Sequence, residues 1–269
     1  MISEQKAITV DHLSKRYGGE VVLDDVNFVV QTGEILVILG TVGCGKSTLM
    51  RIMTGLERAT SGKVFIENEN IAKCDTTKKT GILFQNNALF GSMTVGQNIA
   101  LPIAEYTSLD RRSIKKIVAM KLAMVGLSGF EKYLPSEISG GMKKKAALAR
   151  ALALNPAILF LDEPSTGLDP ISSAEIDELI VYINQNSGTT MIVVTHELDS
   201  VFTIADRVIM LDKSTKGKIA EGTPQYLKND CPHPFVKQFF NREAGKHQQA
   251  PPAGPSMTNK ATPDGFNQN

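Results

Sequence analysis

Four short runs of the chain are almost wholly apolar: EILVILG (34–40), GILFQ (81–85), AILFLDE (157–163) and TMIVVTHE (190–197). Their length, and the polar or glycine residues that close them, fit strands buried on both faces. Helical periodicity follows several of them, over 46–55, 172–186 and 197–204. Buried strands alternating with helices predict an α/β fold around a parallel sheet. Near the start of the chain, ITVDHL and VVLDDVNFVV alternate or carry β-branched residues, which predicts a small antiparallel sheet. Residues 86–156 are mostly helical in pattern, with helices expected over 110–126 and 141–153, so a helical insertion is expected there. From Ala244 onward the chain holds four of its twelve prolines and almost nothing to bury. The folded domain is therefore expected to span 1–243, and the tail 244–269 to be disordered.

Composition narrows the partners. The chain has 269 residues, and 29 basic residues against 28 acidic ones leave a net charge of +1, so nothing in the charge calls for nucleic acid. Cys44, Cys74 and Cys231 lie far apart in the sequence and match no metal spacing, and an odd, unpaired count fits a reducing compartment. No run approaches the roughly 18 apolar residues of a membrane span. The opening MISEQKAITV lacks the apolar core of a secretion signal. A soluble chain is expected, whose membrane role must come through a partner.

The chemistry is concentrated in motifs. GTVGCGKS fits the phosphate-loop pattern between a strand and a helix. In such a loop the backbone N–H groups of Gly40, Thr41, Val42, Gly43, Cys44 and Gly45 approach phosphate oxygens, and Thr48 follows on the opening helix. Lys46 would neutralise the β- and γ-phosphates, and the Ser47 hydroxyl would ligate Mg²⁺. In ILFLDEP, Asp162 would hold Mg²⁺ directly or through water, and Glu163 would serve as general base or water-orienting group. Strands also end in Asp–Glu pairs at plain surfaces, so this reading leans on the phosphate loop. His196 closes TMIVVTH, where an imidazole either caps the strand or bonds the γ-phosphate.

A second anion site is expected in SEISGGMKKKAALARALALNP (136–156). Ser139 stands at an N-cap position, Gly140 and Gly141 leave the first helical N–H groups bare, and three lysines follow. The helix dipole adds about half a positive charge there. The phosphates of the same chain are already surrounded by residues 40–48, so this start is expected to close over the nucleotide of a second copy. A two-fold dimer would then bury two ATP molecules.

In this order the motifs resemble the ATP-binding subunit of ABC transporters, over residues 6–240. The resemblance implies an ABC-type P-loop nucleotide-binding domain using ATP and Mg²⁺. It makes Tyr17 of SKRYGG the adenine-stacking residue, Gln85 of LFQ a Mg²⁺-contacting, partner-sensing residue, ISGGM the signature, Asp169 of STGLDP part of a dimer-crossing loop, and His196 the switch histidine. Two positions depart from the family's pattern. Val42 replaces a small polar residue or Asn, and Met142 replaces the commoner Gln, leaving the signature's grip weaker or shared with Lys143.

A narrower likeness lies in ALFGSMTVGQNIALPI (88–103), SGGMKKKAALARALAL, THELDSVFTIADRVIMLD and HPFVKQFFNRE (233–243). These segments are similar to the ATPase of MCE/Mla-type lipid transporters. That branch implies phospholipid cargo, outer-membrane lipid asymmetry, and a peripheral place on the cytoplasmic face of an inner membrane. Its implied partners are a permease dimer, a periplasmic MCE lipid-binding protein and, in some complexes, a small regulatory subunit. The alternatives are the ATPase of another importer, for amino acids or ions, and a soluble iron–sulfur-assembly ATPase. Leu89, Phe90 and Met93, in the segment after Gln85, either receive a helix of the permease or pack the insertion against the sheet.

Overall fold

The computed structural model describes residues 5–242, so the tail expected over 244–269 lies outside the described residues. Strands β1 (Lys6–Tyr17), β2 (Glu20–Gln31), β4 (Ser61–Ile66) and β5 (Glu69–Asn70) form an antiparallel sheet in the order β2-β1-β4-β5. The central sheet holds β3 (Ile35–Gly40), β6 (Thr80–Leu83), β7 (Ile158–Asp162), β8 (Thr190–Val194), β9 (Arg207–Asp212) and β10 (Gly217–Gly222). Its order is β10-β9-β3-β8-β7-β6, parallel throughout except for β10 at the edge. Eight helices accompany the sheets among the described residues: α1 (Lys46–Met53), α2 (Val95–Tyr106), α3 (Arg111–Met124), α4 (Gly140–Ala151), α5 (Pro170–Ser187), α6 (Leu198–Ile204), α7 (Pro224–Asn229) and α8 (Pro234–Phe240).

The continuous apolar runs are explained by burial on both faces of the sheet. Leu36 and Ile38 of β3, Phe160 of β7, and Ile192 and Val194 of β8 face α1 and the antiparallel sheet, meeting Leu23, Val26, Leu49 and Met50. Their neighbours Val37, Leu39, Leu159, Leu161, Met191 and Val193 face the other way, against Ile176 and Ile180 of α5. A third cluster joins Val95 and Ile99 of α2 to Val118 and Leu122 of α3. Helix α4 serves two clusters at once. Ala147 and Leu148 enter the central core, while Ala146 and Ala149 enter the helical one. Its run of alanines follows from that, since a helix buried on two sides needs small residues for close approach.

Helix α2 falls within the helical stretch expected over 86–156 without a separate pattern of its own, and β4, β9 and β10 carry no pattern that isolates them. In α2, Gly96 and the internal Pro102 weaken the helical pattern, yet a capping box between Thr94 and Gln97 fixes its start. Asn98, fully buried, pins the loop before it: its Oδ1 accepts from the Phe90 N–H at 2.8 Å and its Nδ2 donates to the carbonyls of Phe90, Met93 and Thr94 at 3.1, 3.1 and 3.0 Å.

Candidate nucleotide site

The loop 41–45 carries the chain from the buried strand β3 into α1. Two glycines are required by geometry. Gly45, the residue before α1, has φ 99°, and a Cβ there would stand 2.6 Å from Leu23 Cδ2. A Cβ on Gly40 would stand 2.4 Å from the Leu211 carbonyl oxygen. Val42 is 88% exposed and points away from the protein, so its departure from the family pattern leaves the backbone cradle intact. The Cys44 side chain is buried beneath the loop, where desolvation raises its thiol pKa and keeps it unreactive. Lys46 Nζ lies across the loop, donating to the carbonyls of Gly40 and Thr41 at 2.8 and 3.1 Å. A cavity of about 230 Å³ opens here between Tyr17, Val22, Gly43, Gly45, Lys46, Ser47 and Thr48. Tyr17 is half-exposed at its mouth, with Lys15 Nζ 4.7 Å from the ring centroid and its hydroxyl donating to Glu57.

The carboxyl ends of β7 and β8 lie side by side, with Asp162 opposite Val194. Glu163 leaves the strand with φ 49°, a left-handed conformation that costs an L-residue roughly 1–2 kcal/mol. Its N–H still bonds the Val194 carbonyl at 2.8 Å, and the turn brings its carboxylate to the end of β8. There His196 Nδ1 lies 2.9 and 3.0 Å from the two carboxylate oxygens, and the Thr166 hydroxyl donates to one of them at 2.8 Å. Asp162 is different. Its Oδ1 is buried without a hydrogen-bond partner, and its pKa is raised by burial first and the neighbouring Glu163 charge second. The positive charges of Arg51, Lys144 and Lys46 oppose that rise. A buried, unpartnered carboxylate oxygen beside a second carboxylate and a serine-bearing phosphate loop fits a hard divalent cation such as Mg²⁺.

Gln85 is exposed on the turn after β6, and its carbonyl accepts from Lys144 Nζ at 2.8 Å. The same ammonium donates to the Glu163 carbonyl at 3.0 Å. Lys144 thus ties α4, the Gln85 turn and the end of β7 together. Burial lowers its pKa, against the pull of Asp162, Glu163 and Glu197. The three lysines of α4 were expected to face an anion, but Lys144 turns inward and Lys145 pairs with Glu175 at 2.6 Å. Arg150 adds a second tie, donating to the carbonyls of Asn87 and Ala88 at 3.1 and 2.6 Å.

Ser139 caps α4, its hydroxyl accepting from the Met142 N–H at 3.3 Å. Gly140 and Gly141 are not demanded by the chain's own packing. A Cβ on Gly140 would come no nearer than 3.7 Å to Leu168, and one on Gly141 no nearer than 3.4 Å to Ser172. Met142, partly buried, packs its side chain against the helical cluster. Asp169 caps α5, accepting from the N–H groups of Ile171 and Ser172 at 3.1 and 3.0 Å, and the Ser172 hydroxyl first, then these N–H groups, lower its pKa. Among the described residues, no hydrogen bond joins Ser139, Gly140, Gly141 or Asp169 to the loop 40–48. Lys46, Asp162, Glu163 and His196 form one group in the fold, and the starts of α4 and α5 form another.

A glycine cradle feeding a helix, with two acids at the carboxyl end of another parallel strand of the same sheet, is the arrangement of P-loop nucleoside triphosphatases. Residues 23–166 match the ABC transporter family, and the chain belongs to that family, whose members bind and hydrolyse ATP. It is 40% identical over 241 residues to the probable ribonucleotide transport ATP-binding protein Mkl of Mycobacterium tuberculosis, covering 87% of this chain but only 66% of that relative's length. It is 39% identical over 229 residues to the intermembrane phospholipid transport system ATP-binding protein MlaF of Haemophilus influenzae, covering 83% of this chain and 86% of MlaF. The ATP-binding cassette MJ0796, solved as a dimer in a post-hydrolysis state bound to ADP and Pi, superimposes with a TM-score of 0.73 at 30% identity, over 81% of this chain and 98% of that one.

Beside His196 lies a residue to which the sequence gives no clue. Asp177 of α5 is 5% exposed, its Oδ1 has no partner, and burial raises its pKa to about 6. A carboxylate whose folded pKa exceeds its unfolded one lowers stability at high pH, and that cost fades as pH falls through 6. Asp177→Asn is expected to stabilise the fold by up to about 3 kcal/mol at pH 8, and by about 1 kcal/mol less at pH 5. Urea unfolding at both pH values measures the difference, and an equal effect at the two would show that Asp177 does not titrate in this range.

Proposed function

We propose that the chain is the ATP-hydrolysing subunit of an inner-membrane ABC transporter that moves phospholipid between inner and outer membranes and so maintains outer-membrane lipid asymmetry. The observation that carries the lipid assignment is the likeness to MlaF over 86% of that protein's length. Two copies would close on two ATP molecules, each held between the phosphate loop of one chain and the Ser139 helix start of the other. Ordinary helical geometry at Gly140 and Gly141, where a Cβ would make no more than van der Waals contact with Leu168 or Ser172, supports an approach from outside the chain.

Within each site, the loop backbone and Lys46 would hold the phosphates, with Tyr17 against the base. Ser47 and Asp162 would hold Mg²⁺, with Gln85 reaching it when the dimer closes, and the ion would offset charge on the phosphoryl group. Glu163 takes the proton of the attacking water, and His196, bonded to that carboxylate, keeps it oriented and reaches the γ-phosphate. Asp169, already capping α5, places the crossing loop at the partner's site.

No helix among the described residues is long and apolar enough to cross a membrane, so work on a lipid must pass to a permease dimer. The contact we propose is a groove of about 500 Å³ lined by Phe84, Phe90, Leu101, Pro102 and Tyr106. Of the three apolar residues considered from sequence, Leu89 packs against both the central and helical clusters and Met93 is half-buried. Phe90 is 51% exposed, on the loop that Asn98 pins. A rigid loop presenting one aromatic residue beside a groove suits a helix end. Phe90→Asp is expected to leave ATP affinity unchanged while permease co-purification falls at least about tenfold. Retained permease binding would move the contact elsewhere.

The complex would sit on the cytoplasmic face of the inner membrane, with a periplasmic MCE lipid-binding protein and, in some cases, a small regulatory subunit. The likeness to Mkl favours a second reading, a ribonucleotide transporter. Gene deletion separates the two. The lipid reading expects a detergent-sensitive outer membrane; intact lipid asymmetry with lost nucleotide uptake would overturn it and leave the ATPase assignment standing.

A further inference from the structure

One charged side chain lies against the phosphate loop with no partner of its own. β3 and β9 run parallel with Gly40 opposite Leu211, so the end of β9 reaches the start of the loop. Backbone bonds fix the turn that follows β9. Asp212 accepts from the Ser214 and Thr215 N–H groups at 2.9 and 3.3 Å. The Asp24 N–H of β2 donates to the Lys216 carbonyl at 2.7 Å, which ties the far side of the turn to the antiparallel sheet. Lys213 stands at the head of this turn, exposed. A Cβ on Gly43 would meet its ammonium nitrogen at 4.0 Å.

The Lys213 ammonium bonds no carboxylate and no carbonyl among the described residues. The charges nearest it along the chain are engaged elsewhere. Asp212 is turned back on Ser214 and Thr215, and Lys218 pairs with Glu221 at 2.5 Å. Lys46, by contrast, gives its ammonium to the carbonyls of Gly40 and Thr41. A free cation beside backbone N–H groups that receive phosphate adds to the same anion site. Lysine suits the place, because its four-carbon stem is flexible and its ammonium carries three donors. We propose that Lys213 is a second cation of the nucleotide site, donating to the bound polyphosphate from the β9 side of the loop. This rests on the phosphate-loop reading of residues 40–48. Lys213 is far from that loop in sequence and meets it only because β9 pairs with β3.

The test is equilibrium dialysis of the full chain against Mg²⁺ and ATP, at low and at high salt. Lys213→Gln should weaken ATP binding about three- to tenfold at low salt, less than Lys46→Ala because Lys213 is exposed. The gap from wild type should narrow at high salt, as screening of an exposed charge requires. Lys213→Arg keeps the charge and should stay within about twofold of wild type. Lys216→Gln removes the same charge from the same turn and should bind ATP as the wild type does. Wild-type affinity in Lys213→Gln, or an equal loss in Lys216→Gln, would overturn the proposal. Lys46→Ala, measured alongside, separates it from the reading beneath it. Undiminished affinity in Lys46→Ala would remove the phosphate loop itself, whereas a loss there with none in Lys213→Gln would remove the second cation alone.

Discussion

Glu163→Gln is expected to bind ATP with wild-type affinity and to hydrolyse it about 10²- to 10⁴-fold more slowly, the range a positioned general base contributes. The substitution keeps size and hydrogen-bonding reach. An amide oxygen can still accept from Thr166, as Glu163 now does at 2.8 Å, and the amide nitrogen can still face His196. What it cannot do is take the water's proton. Closure without hydrolysis should then accumulate an ATP-bound dimer, seen as a doubling of mass by light scattering with ATP. Phosphate release within tenfold of wild type would move the base elsewhere, His196 being the adjacent group.

Lys46→Ala is expected to weaken ATP binding by about 10- to 150-fold, the worth of a charged hydrogen bond in a partly desolvated loop. The fold should survive, because Lys46 bonds only the loop carbonyls of Gly40 and Thr41 and carries no core contact through its ammonium. Nucleotide titration with unfolding as a control separates the two effects. Wild-type affinity in a folded protein would remove the phosphate-loop assignment.

The parts of the fold legible in sequence are those where burial leaves one pattern available. β3, β7 and β8 are buried on both faces, so nearly every residue is apolar and the strands stand out. β4 begins with three exposed residues and β10 is mostly half-buried, so neither has a run to read. α2 conceals itself differently. Its Gly96 is required where a Cβ would stand 2.8 Å from the Glu131 carbonyl oxygen, a contact between segments far apart in sequence.

The site divides in the same way. The glycines and Lys46 of the phosphate loop are legible because backbone approach to phosphate permits few alternatives. Lys144 is not, because three consecutive lysines look alike until packing turns one of them toward the carbonyls of Gln85 and Glu163. Met142 illustrates the reverse case. Sequence comparison makes it a missing polar contact, whereas the fold spends its side chain on the helical core. Asp177 has no local signal at all, since its burial depends on how α6 packs on α5.

The composite site requires the Ser139 helix start to serve a second chain and not its own. Ser139→Arg alone should leave monomeric ATP binding nearly intact and abolish hydrolysis, since the cation blocks closure over the partner's nucleotide. Mixing Ser139→Arg chains with Lys46→Ala chains is the direct measurement. In a mixed dimer both defects fall in one composite site, and the other site pairs an intact phosphate loop with an intact signature. Random pairing of equal amounts should then restore about a quarter of wild-type phosphate release, provided one intact site turns over. If the signature acted within its own chain, every site would be defective, and the mixture would release no more phosphate than the two mutants measured apart.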